Sequence, residues 1–103
     1  MIRGIIFNER MADRAIVLMG LAGLAAFAEK GTKEYFRWQN VKRGHARVST
    51  QEIGEIGRVF PKYRWWLVTG EVMPEMGQTS PEYDEANRNL VRQARDSSHA
   101  DSS

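Results

Sequence analysis

Arg37, Gln39 and Asn40 stand together in the most positively charged stretch of the chain, and they carry the donors and acceptors that read a DNA groove. The amide of a Gln or Asn accepts from N6 and donates to N7 of adenine. A guanidinium donates to O6 and N7 of guanine, or grips a phosphate, and for Arg37 the sequence leaves both open. Between Lys30 and Arg47 there are six cations against the single acid Glu34. Of these, Lys33, Lys42, Arg43 and Arg47 suit phosphates flanking a groove, where they hold the protein in place without carrying sequence information. A solvated basic face is the competing reading, and clustering around one short helix favours the nucleic acid.

These side chains need a helix beneath them. Trp38 and Val41 fall at helical spacing and should face inward, so the same helix can offer Arg37, Gln39 and Asn40 outward. The pattern predicts that this helix starts near Thr32 or Lys33 and ends at the glycine Gly44. Ahead of it, Asn8 caps a first helix with Met11, Ala15, Leu18 and Met19 inward and Gly20 as its stop. A second helix is expected from about Ala22 to Lys30, with Leu24, Phe27 and Ala28 inward. Ser49 and Glu52 form a capping-box pattern that opens a fourth helix, with Ile53, Ile56 and Phe60 as its apolar face. Pro61 ends that helix and begins a short aromatic fifth, Lys62 to Val68, stopped at Gly70. Trp65 and Trp66 cannot both face one side, so one of them belongs at a surface or subunit boundary.

The 103 residues suffice for one domain with a modest core. Residues 1–70 hold twelve Lys/Arg and six Asp/Glu, whereas residues 71–103 hold three and seven. A basic body with an acidic tail favours a polyanionic partner for the body. There is no cysteine, and His45 and His99 lie far apart, so cysteine chemistry is excluded and neither metal nor cofactor is expected. No apolar run approaches the roughly 20 residues of a membrane span, and the expected location is cytoplasmic. No nucleophile–base pair or phosphate-cradling glycine loop points to an enzyme; a deep pocket around Glu52 or Glu55 would reopen that case.

The order of helices and several residues resemble the lambda-repressor-like helix-turn-helix regulators (the Xre family), common in bacteria and prophages. The similarity covers roughly residues 8–71. It rests on Phe27-Ala28-Glu29, on Trp38 with Val41-Lys42-Arg43-Gly44, on Trp66-Leu67-Val68-Thr69-Gly70-Glu71, and on the ten-residue interval between Ala28 and Trp38. Gly31 stands one position earlier than the family glycine. The resemblance implies an all-α, five-helix lambda-repressor-like DNA-binding domain with a C-terminal helical tail. It further implies base contacts at Tyr35, Phe36, Gln39 and Asn40. Tyr35 is expected to be exposed; Phe36 could meet a thymine methyl or belong to the core.

The organisation expected is an apolar arm over residues 1–7, the DNA-binding domain over 8–71, and a loop, short helix and polar tail over 72–103. In the tail, Pro81 opens a helix whose thin stripe of Tyr83, Ala86, Leu90 and Val91 runs to about Arg95. Ile5, Phe7, Trp65, Tyr83 and Leu90 are the candidates for an oligomer interface. The function implied is a sequence-specific transcriptional regulator, a repressor more readily than an activator, binding double-stranded DNA as a homodimer on a two-fold operator. The alternative is an antitoxin-like or prophage accessory protein whose acidic tail binds another protein.

Overall fold

The computed structural model describes residues 10–101, with side chains over 10–96. It is all-α: α1 (Met11–Ala22), α2 (Lys33–Lys42), α3 (Thr50–Val59), α4 (Arg64–Thr69) and α5 (Pro81–Asp101), joined by short 3-10 turns. Among the described residues there is no strand, only an isolated antiparallel bridge between Met73 and Gln78. The expected arm with Ile5 and Phe7, and the expected cap Asn8, lie outside the described residues.

The core is the meeting of α1 with α2, α3 and α4. Ala15, Leu18 and Met19 of α1 close on Trp38 and Val41 of α2, Ile56 of α3, and Tyr63, Trp66 and Leu67 around α4. Full burial of each large side chain contributes about 1.5–3 kcal/mol, which is what holds helices this short in place. Met11 departs from its expected inward place and is largely exposed.

The first two helices expected from the sequence pattern differ in the structure. The first helix continues through Gly20 and stops at Gly23, whose φ of 82° is closed to residues with a Cβ. A mid-helix glycine costs only about 1 kcal/mol, and the neighbouring Leu18 and Met19 are fully buried. The expected second helix is a single 3-10 turn, Leu24–Ala26. Gly23 and Gly31, both at positive φ, bound the seven residues between them, and Leu24, Phe27 and Ala28 still pack against the core as expected.

Arg14 locks α1 to the end of α4. Its side chain is buried, and its guanidinium donates to the carbonyls of Leu67 (2.9 Å) and Val68 (3.2 Å). Those carbonyls belong to the last turn of α4, which has no helical donors left for them. A cation there also opposes the negative end of the helix dipole. Burial pulls the Arg14 pKa down and Asp13 pulls it up, with a net lowering from a very high starting value.

The segment after Gly70 is fastened to the α3–α4 junction. The Gln78 side chain accepts from the Trp65 N–H (2.9 Å) and donates to the Pro61 carbonyl (3.1 Å). The Ser80 hydroxyl accepts from the Tyr83 N–H and starts α5 at Pro81, as the sequence predicts. Asp84 then takes bonds from the Tyr63 hydroxyl (2.7 Å) and Lys62 Nζ (2.9 Å). The helix runs on to Asp101, past the Arg95 boundary expected from the Ser-rich end, and every residue from Glu85 to Asp96 is exposed.

Candidate nucleic-acid interface

Both ends of α2 are closed by its own sequence. Thr32 is the N-cap: its hydroxyl oxygen accepts from the Tyr35 N–H (3.1 Å) while the hydroxyl donates to the Glu29 carbonyl (2.6 Å). At the other end Gly44 adopts φ 81°, and the N–H groups of Gly44 and His45 return to the carbonyls of Val41 and Asn40. That is a Schellman turn, which only a residue without a Cβ closes without strain. Trp38 is buried against Phe27, with stacked rings 4.4 Å apart between centroids. The aromatic stack fixes the rotation of α2, and hence which residues face outward.

The outward stripe is Lys33, Phe36, Asn40 and Arg43, all exposed and spaced three or four residues apart. Phe36 is 64% exposed, an unusual place for a phenyl ring. Tyr35 and Gln39 sit half-buried on one flank, toward Trp38. Tyr35 thus departs from its expected exposure and turns partly inward, and Phe36, for which the sequence left surface and core open, faces solvent. Three residues before the buried Trp38 is nearly the same side of a helix, and two residues before is the far side. Lys42 and Arg47 are exposed beside the stripe. An α-helix with its side chains is about 10–12 Å across, which a major groove about 12 Å wide admits.

Arg37 is exposed as expected, but its guanidinium is bonded within the chain. Its Nε and one terminal nitrogen donate to the two oxygens of Glu52 at 2.8 and 3.1 Å, and the same nitrogen donates to the Arg47 carbonyl at 2.9 Å. Glu52 is buried at the third position of α3, where it completes the capping box with Ser49. One Glu52 oxygen accepts the Ser49 N–H (2.9 Å) and the Ser49 hydroxyl (3.0 Å). Burial opposes the charge on Glu52, but the bonds from Arg37 and Ser49 outweigh it and hold the carboxyl below its ordinary range. The same bonds raise the pKa of Arg37. Arg37 is thus a positioning residue: it ties α2 to α3 and pins the loop carrying Arg47. Sequence shows the Ser49–Glu52 pattern, but nothing in it links Glu52 to an arginine fifteen positions earlier.

A cleft of about 410 Å³ lies where α2 meets the start of α3, lined in part by Lys33, Trp38, Glu52 and Glu55. Glu52 accepts four hydrogen bonds there, two from Arg37 and two from Ser49. Among the described residues no three His, Asp or Glu side chains are grouped to hold a metal ion. No described helix is long and apolar enough to cross a membrane.

A solved structure of Pf6r, from the filamentous phage Pf6 of Pseudomonas aeruginosa PA01, matches this fold with a TM-score of 0.69. The two sequences are 43% identical, over 81% of this chain and 99% of that one. The chain belongs to the family of Pf6r. No protein-family model and no curated protein matches it. Pf6r is a filamentous-phage protein.

The remaining candidates of this Pf6r relative divide by position. Trp66 is in the core and Trp65 is 41% exposed, so the aromatic pair splits between core and surface. Tyr83 and Leu90 are exposed on α5, remote in sequence from the α2 stripe, and α5 is bonded to the body through Asp84 in its first turn.

Proposed function

We infer that this Pf6r-family protein is a sequence-reading DNA-binding regulator of a prophage or its host, a repressor more readily than an activator. The observation that carries the reading is the exposed stripe Lys33–Phe36–Asn40–Arg43 on a helix whose rotation is locked from behind by Trp38. In this reading α2 enters the major groove. Asn40 offers an amide to an adenine edge, with Gln39 on its flank, and Phe36 packs on a thymine methyl. Lys33, Lys42, Arg43 and Arg47 grip phosphates on either side. Arg37 holds the reading surface rigid and leaves the bases to its neighbours. Tyr35 supports the flank of the helix.

The lambda-repressor-like resemblance supports the same assignment, although the helix before the turn is reduced to one 3-10 turn here. Shortening that element spares the reading helix, because Phe27 still covers Trp38. The regulator acts as a homodimer on a two-fold site, as helix-turn-helix proteins do. Its chemistry is binding, with no catalytic step and no cofactor.

The test is a titration against the DNA upstream of the protein's own gene, beside a shuffled duplex, at two salt concentrations. A preference for the native duplex that persists at the higher salt is expected. Equal binding to both, collapsing with salt, would reduce the α2 face to a nonspecific basic surface.

A further inference from the structure

We propose that α5 pairs with α5 of a second copy in antiparallel register, with the two-fold axis passing between Arg88 and Asn89. This supplies the second subunit of the two-fold arrangement proposed above and rests on that reading for its purpose.

The helix has a side that nothing among the described residues covers. From Glu85 to Asp96 every residue is exposed, including Leu90 at 63% and Val91 at 49%. Helices this polar draw their stability from packing of an apolar face. The face in question is Tyr83, Ala86, Asn87, Leu90, Val91 and Ala94, which share one side of the helix at three- and four-residue spacing.

That face is mirror-ordered along the axis. About the midpoint between Arg88 and Asn89, Tyr83 corresponds to Ala94, Ala86 to Val91, and Asn87 to Leu90. Two antiparallel copies therefore place a large residue over a small one at the ends, and repeat the match through the centre. Asn87 within the stripe is the sort of polar residue that fixes register at some cost in stability.

Charge selects the same orientation. The start of the helix holds Glu82 and Asp84 in its first turn with Glu85 just after, and the later turns hold Arg88, Arg92 and Arg95. The antiparallel register brings the acidic turn of one copy to the level of Arg92 and Arg95 of the other. Parallel pairing would set acid against acid and base against base. The helix dipoles also oppose each other favourably in the antiparallel pair. Because Asp84 is already bonded to Lys62 and Tyr63, the start of α5 is rigidly joined to the body. The pair would consequently hold the two bodies, and the two α2 stripes, at a fixed separation.

The test reads association without DNA, so it can fail while DNA reading stands, and the reverse. The chain has no cysteine, so single cysteines report geometry cleanly. Sedimentation over roughly two decades of concentration should show a monomer–dimer equilibrium, and Leu90→Glu should weaken it by about tenfold or more, with the circular-dichroism spectrum of the body retained. Under mild oxidation, the Tyr83→Cys and Ala94→Cys variants should cross-link when mixed. Each alone should not, because equivalent positions then lie about 16 Å apart along the axis, beyond disulfide reach. A chain that stays monomeric, with the stripe left to some other protein, overturns the proposal. So does self-cross-linking of Tyr83→Cys alone, the sign of parallel pairing, or a dimer indifferent to Leu90→Glu.

Discussion

Replacing Arg14 by Met tests how α1 and α4 are held together behind the α2 stripe. The substitution keeps most of the buried stem and removes the guanidinium that bonds the Leu67 and Val68 carbonyls. Leu67 is 1% exposed, so its carbonyl has no water to turn to, and a buried acceptor left unsatisfied costs about 1–3 kcal/mol. Val68 is 55% exposed, and its carbonyl recovers part of its bond from solvent. Loss of the cation at the helix end adds about 0.3–1 kcal/mol. The total is about 3 kcal/mol, and in a domain of this size each kcal/mol moves Tm by about 4–8 °C. Thermal unfolding followed by circular dichroism should therefore show a fall of about 12–24 °C for Arg14→Met. Arg14→Lys should lie in between, since it keeps the charge but not the fork. A fall of less than about 3 °C for Arg14→Met would refute the reasoning, and the bonds at the end of α4 would then count for little.

Asn40→Ala should lose about 1–3 kcal/mol of discrimination between preferred and altered duplexes while keeping its salt dependence, as measured by fluorescence anisotropy. Arg43→Ala should weaken all duplexes alike and flatten the plot of log K against log salt by about one unit. Glu52 has a folded-state pKa below its ordinary 4.5, so the stability it contributes is present above that value and is lost as pH falls through the folded one. Urea unfolding of the wild type should weaken in that acid window, and Glu52→Gln should be less stable at neutral pH but show a flatter acid limb. Trp38→Ala should cost about 3–5 kcal/mol and release Phe27 from its stack, which near-ultraviolet circular dichroism would register as lost aromatic signal.

Much of the fold could be read from neighbours in sequence. Thr32, Gly44, Ser49 with Glu52, and Ser80 with Pro81 each act within one turn, and each begins or ends a helix where its type predicts. Trp38 and Val41 declared the inner face of α2 by period alone, and the same period places Phe36 outside once Trp38 is taken as the inward anchor. What escaped were contacts made across the chain. Arg14 meets α4 more than fifty residues later, and Arg37 meets Glu52 fifteen residues later. A lone arginine has the same local signature whether it caps a helix, clasps a carboxylate or waits for DNA. The 3-10 turn at Leu24–Ala26 was hidden for another reason: its inward residues are those a helix would also bury, so apolar spacing could not separate the two.

The central claim is that the exposed stripe of α2 reads base pairs. The most direct measurement is selection from a pool of randomised duplexes at near-physiological salt, with the wild type and Phe36→Ala/Asn40→Ala run side by side. The account predicts enrichment of an inverted repeat by the wild type and loss of its central preferences by the double variant. A wild-type pool that stays random after repeated rounds, or an identical motif from both proteins, would contradict it.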